Sequence, residues 1–98
     1  MAYHLAFRRI AAREFEDAAF YYREKTVELG IEFIGEVTST LDCIIDSPYV
    51  YAIEHNRIRA APMARFPYVI YFRVERKQII VLGVIHGARD PAVWKDRV

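Results

Sequence analysis

The chain has 98 residues, 54% apolar and 28% charged, which suits one globular domain, expected over residues 1–98, and leaves too little for two. A single cysteine excludes an intramolecular disulfide and a Cys-x-x-Cys site, and the longest apolar run, residues 79–85, is far short of the ~20 residues a spanning helix needs. Net charge is only +1, but it is uneven: residues 1–55 carry five Lys/Arg against ten Asp/Glu, and residues 56–98 carry nine against three. That split fits a nucleic-acid or acidic-protein partner, and equally a basic half that pairs with the acidic half of the same molecule.

In chain order, "YHLAF" (residues 3–7) alternates loosely and reads as a short strand. The opening "MAYHLAFRRI" puts Arg8 and Arg9 where a signal peptide needs an apolar core, so a soluble cytoplasmic protein with no membrane association is expected. Residues 10–29 turn helical, with Ala11, Phe15, Ala18, Tyr22 and Leu29 on one face, and Gly30 is the expected stop. A second helix over residues 31–46 aligns Phe33, Val37, Leu41 and Ile44, and Ser47-Pro48 ends it. Phe20 and Val27 fall opposite the first helix's main stripe; contact with the second helix is the expected use, an apolar patch for a partner the alternative.

A strand is expected around residues 57–61, interrupted by Pro62. "YVIYFRV" (68–74) and "QIIVLGVIH" (78–86) form a hairpin of central strands across "ERK". Asp90-Pro91 is a helix-start signal, so "PAVWKDRV" is expected to form a short C-terminal helix that returns Trp94 to the body. The fold class is α+β, in the order β-α-α-β-β-β, with a helical hairpin packed on a mostly antiparallel sheet.

The histidines at 4, 55 and 86 are scattered, so neither a metal nor a cofactor is expected, and Cys43 reads as a packing residue. What remains is a basic surface. Arg57 and Arg59, two apart, share one side of a strand. Arg65 precedes Phe66-Pro67, Arg89 follows the last strand, and His86 closes it. Arginines gripping phosphate beside a group that exchanges a proton could support RNA cleavage by an internal 2′-hydroxyl. The other reading, which spacing favours, has Arg65 and Arg89 tying loops to helix carboxylates.

The segments "EFEDAAFYY", "IEFIGEV", "RFPYVIYF" and "VIHGARDPAVWKDR" together resemble the RelE/ParE superfamily, toxins of type II toxin–antitoxin systems often labelled plasmid-stabilisation proteins. The likeness covers nearly the whole chain and rests on Arg-Phe-Pro-Tyr at 65–68 and His-x-x-Arg-x-Pro-x-x-Trp-x-x-Arg from 86 to 97. It implies a growth-arresting protein silenced by a cognate antitoxin in a hetero-oligomer. It also implies one of two targets, DNA gyrase for ParE-like members or ribosome-bound mRNA for RelE-like nucleases. In the nuclease case Arg65, His86 and Arg89 would be catalytic; in either case Arg57, Arg59, Arg65 and Arg89 would contact the target or its phosphates. In the gyrase case the terminal helix, with Trp94 and Arg97, would contact the target. Arginines stand where the nucleases carry lysines, and no tyrosine follows Tyr71, so the ParE-like branch is slightly preferred.

Overall fold

A computed structural model describes residues 3–97. Strand β1 (His4–Phe7) leads into helix α1 (Arg9–Lys25), which turns Ala11 and Ala18 fully inward. Thr26 then goes extended, and its hydroxyl accepts from the Leu29 backbone N–H at 3.0 Å, capping helix α2 (Val27–Asp46). The reversal therefore sits four residues before the expected one. Gly30 lies inside α2, where a Cβ would stand 2.8 Å from Arg23 Cβ and 3.0 Å from its Cα. This glycine lets the two helices touch backbone to backbone and does not end either of them. Phe33, Val37, Leu41 and Ile44 are buried as their spacing requires, and Pro48 follows in a 3-10 turn, Pro48–Val50.

Strands β2 (Ile53–His55), β3 (Ile58–Pro62), β4 (Tyr68–Glu75) and β5 (Gln78–His86) complete one sheet in the order β1-β5-β4-β3-β2. Only β1 is parallel to its neighbour; the other pairings are antiparallel. Strand β2 was not expected: three residues, with a register break between Ile53 and His55, carry no periodic signal. The turn it makes, through Asn56 at φ 52°, takes Arg57 out of the strand and leaves Arg59 within it.

The sheet is covered on both faces. Phe33, Val37 and Ile44 of α2, with α1, pack on Ile70, Phe72, Ile79, Val81 and Val84. On the opposite face Ile58, Tyr71, Ile80, Leu82 and Ile85 are covered by Trp94, whose ring stacks on Tyr71 at 4.2 Å and 20°. Double coverage is why β5 is apolar at nearly every position. The expected terminal helix is a three-residue 3-10 turn, Pro91–Val93; Asp90 caps it as anticipated, accepting from the Ala92 N–H at 2.9 Å.

One long-range clip secures the chain's end. Tyr71 pairs with Gly83 and Phe72 with Val81, so Leu82 is the extra residue of a bulge. Past Phe7, strand β1 no longer covers β5. There the Leu82 carbonyl accepts from Arg97 Nη1 at 3.1 Å, and the Val84 N–H donates to Glu14 Oε1 at 3.1 Å. Arg97 and Glu14 close the arrangement with paired bonds of 2.9 and 3.0 Å.

Candidate functional site

The register of the β4–β5 hairpin sets Tyr68 opposite His86, with ring centroids 5.5 Å apart. Helix α1 crosses above this end of the sheet and contributes Asp17 and Tyr21. Arg89 follows from the turn, and together they line an open cleft of about 250 Å³. His86 is exposed and is oriented by its own turn, Nδ1 accepting from the Ala88 N–H at 3.0 Å. A neutral imidazole held this way carries its proton on Nε2 and offers the cleft a donor. Burial pushes the Tyr68 phenol above its ordinary value of 10; Tyr21 adds to the rise and the Arg89 guanidinium opposes it. Tyr68 is therefore a donor too at neutral pH. Arg89 is exposed and, among the described residues, forms no salt bridge, so it does not tie its loop to the hairpin. The cleft thus offers a guanidinium, an imidazole N–H and a phenol to an anion, with Asp17 as the opposing charge and Glu14 already engaged by Arg97.

Arg65 is not a wall of this cleft. Its guanidinium meets Glu32 at 2.6 Å and its backbone N–H donates to Glu36 Oε1 at 2.9 Å, so both ends of the residue are fastened to α2. This is the loop-tying reading, fulfilled at Arg65 and not at Arg89. Arg57 and Arg59 do come together, along a shallow depression with Tyr49, Ile53 and Val74. Arg59 is committed there: it donates to the Tyr51 carbonyl at 2.6 Å and lies over the Tyr49 ring at 5.0 Å, pinning the 3-10 turn. Trp94 is 4% exposed, stacked on Tyr71, and Arg97 is paired with Glu14. Tyr68, Tyr21 and Asp17 were not singled out from sequence. Placing Tyr68 opposite His86 by counting back from the 75–78 turn would have found the first.

Phe20 and Val27 reverse an expectation. They are 60% and 62% exposed, and with Ile31 and Ile34 they line a groove of about 610 Å³ along the outside of the hairpin. Ala11, Ala18 and Tyr22 face the sheet, and the backbone approach at Gly30 joins the helices, so no neighbour is left for the outer stripe. Among the described residues no three His, Cys, Asp or Glu side chains are grouped to hold a metal ion. No helix among them is long and apolar enough to cross a membrane.

Residues 5–91 match a family model described as the ParE toxin of the type II toxin–antitoxin system parDE. No curated protein matches the chain. Among solved structures, a chain of "Chromosomal ParDE TA system from P. aeruginosa" superposes with a TM-score of 0.75 at 19% identity, over 87% of this chain and 96% of that one. At that identity the likeness is one of fold, and it is the α+β arrangement described above. With its family match running from β1 to the start of the terminal 3-10 turn, the chain belongs to the ParE toxin family of type II toxin–antitoxin systems.

Proposed function

We propose that this toxin arrests growth by inhibiting DNA gyrase, in the cytoplasm, and that a cognate antitoxin silences it. The observation that carries this reading is the dispersal of the candidate nuclease residues. Arg65 is fastened to Glu32 and Glu36, and Arg59 to the Tyr51 carbonyl. Neither residue lines the cleft of His86 and Arg89. His86 has its Nδ1 lone pair engaged by the Ala88 N–H, so in this arrangement it does not offer that nitrogen as the base for a 2′-hydroxyl. The antitoxin is assigned to the Phe20–Val27–Ile31–Ile34 groove, an apolar stripe suited to an amphipathic segment.

A second reading, ribosome-dependent mRNA cleavage, draws support from the same cleft, where Tyr68, His86 and Arg89 converge. Labelled-precursor incorporation in the minutes after inducing the chain alone in bacteria separates the two. Gyrase inhibition stops DNA synthesis first and survives His86→Ala with Arg89→Ala. Failure of protein synthesis first, abolished by that pair, would replace the proposal with the nuclease reading.

A further inference from the structure

The division of charge by sequence halves does not survive folding. Arg8, Arg9 and Arg13 come from the acidic half, at the start of α1. Arg76 and Lys77 come from the basic half, in the β4–β5 turn. The parallel pairing of β1 with β5 sets these two groups at opposite ends of one sheet edge: the His4 N–H donates to the Lys77 carbonyl at 2.8 Å, and the Arg8 N–H to the Val81 carbonyl at 3.0 Å. The four steps from His4 to Arg8 separate them by about 13 Å. All five cations are exposed, and none has a carboxylate within salt-bridge distance among the described residues. The nearby anions are partly engaged: Glu14 is held by Arg97 and Glu75 by Arg73, while Asp96 lies beside Arg8 and Arg9, and Glu16 and Asp17 follow Arg13 by three and four residues on α1 without forming a salt bridge to it.

The fold gives no reason for these arginines. The first turn of α1 holds no acidic residue and its N-cap makes no side-chain bond, so cations stand at the positive end of the helix, where they oppose its dipole. A local cost kept without a structural return is a mark of a functional surface. From this arrangement we infer that the β1 edge is a nucleic-acid phosphate-binding strip: three exposed cations at the start of α1 and two in the β4–β5 turn bracket the strand and face a phosphodiester backbone. Over about 13 Å one strand of a duplex presents about four phosphates, at one per about 3.4 Å of axis. An acidic protein surface fits less well, because a protein interface needs a desolvated apolar centre and the strip offers only Leu5 and Ile10, each partly exposed and set among cations. The inference goes beyond the gyrase proposal and does not depend on it.

The test is fluorescence anisotropy of the full chain with three labelled probes: a mixed-sequence DNA duplex of about 24 base pairs, the same sequence as an RNA duplex, and polyglutamate. Binding to a nucleic acid is expected at a Kd of about 10⁻⁴–10⁻⁶ M, falling steeply between about 50 and 200 mM salt. Arg8→Ala/Arg9→Ala/Arg13→Ala should weaken it at least tenfold and flatten the log–log salt slope by about 0.9 for each phosphate no longer neutralised. The charge-matched control, Arg23→Ala/Lys25→Ala/Lys95→Ala, should bind as the native chain does, and unchanged far-UV circular dichroism confirms that both triples fold. Tighter binding to DNA assigns the strip to duplex DNA; tighter binding to RNA assigns it to RNA, leaving the strip in place and removing support from the gyrase reading. The strip is refuted if the first triple keeps the native affinity and slope, if the control loses as much, or if polyglutamate binds as tightly and through the same arginines.

Discussion

Replacing Arg97 with alanine tests the clip that closes the chain. The substitution removes two bonds to Glu14 and one to the Leu82 carbonyl, and it leaves Glu14, 22% exposed, without its cation. Breaking one side of a buried pair costs about 3–5 kcal/mol, and an exposed pair is worth about 0–1. With side-chain exposures of 14% and 22%, this pair lies between those limits, and its bidentate geometry and engaged backbone carbonyl place the loss at about 2–3 kcal/mol. In a domain of this size each kcal/mol is about 4–8 °C, so Tm should fall by about 10–20 °C. Thermal melts by circular dichroism of Arg97→Ala, Glu14→Gln and the double variant form a cycle, in which the coupling energy should exceed about 1 kcal/mol. A melt within about 2 °C of the native one, or a coupling near zero, would refute the view that this pair fastens the bulge of β5 to α1.

Gly30→Ala should destabilise the protein by about 1–2 kcal/mol in urea titration, because a methyl there meets Arg23 backbone, whereas Gly35→Ala, with open space around it, should stabilise by about 0.5–1. Alanine stabilising both positions would contradict the close helix approach. Trp94→Ala should cost about 3–5 kcal/mol, and native Trp94 emission should shift to the red on unfolding; a red-shifted folded spectrum would contradict its burial against Tyr71. Burial raises the phenol pKa of Tyr22, Tyr51, Tyr68 and Tyr71 above 10. The unfolded chain then ionises first, so stability holds below pH about 10 and falls as pH rises through the folded values. Absorbance titration near 295 nm should show phenols that ionise late and together with unfolding, and a single transition at 10 in a folded protein would overturn this.

What could be read from the sequence was whatever local periodicity or a cap encodes. Phe33, Val37, Leu41 and Ile44 announced the buried face of α2, and Asp90-Pro91 announced the terminal turn. Thr26 was a cap hidden inside an apolar pattern that ran on through Leu29, so Gly30 took the role that belonged to Thr26. Contacts made at long range left no local mark. Glu32 lies 33 residues from Arg65, and Glu14 lies 83 from Arg97, so nothing local showed that these two candidates each hold an ion pair within the fold. His86 and Arg89 were found because they close a strand and open a turn, and they are the pair that the structure leaves facing a cleft.

The most direct test of the gyrase proposal is supercoiling of relaxed plasmid by purified gyrase, with the chain added at increasing concentration and ribosome-programmed mRNA cleavage run in parallel. Gyrase inhibition predicts loss of supercoiling and intact mRNA, with the same result from His86→Ala/Arg89→Ala. Full supercoiling beside cleaved mRNA, with cleavage lost in that variant, would contradict it.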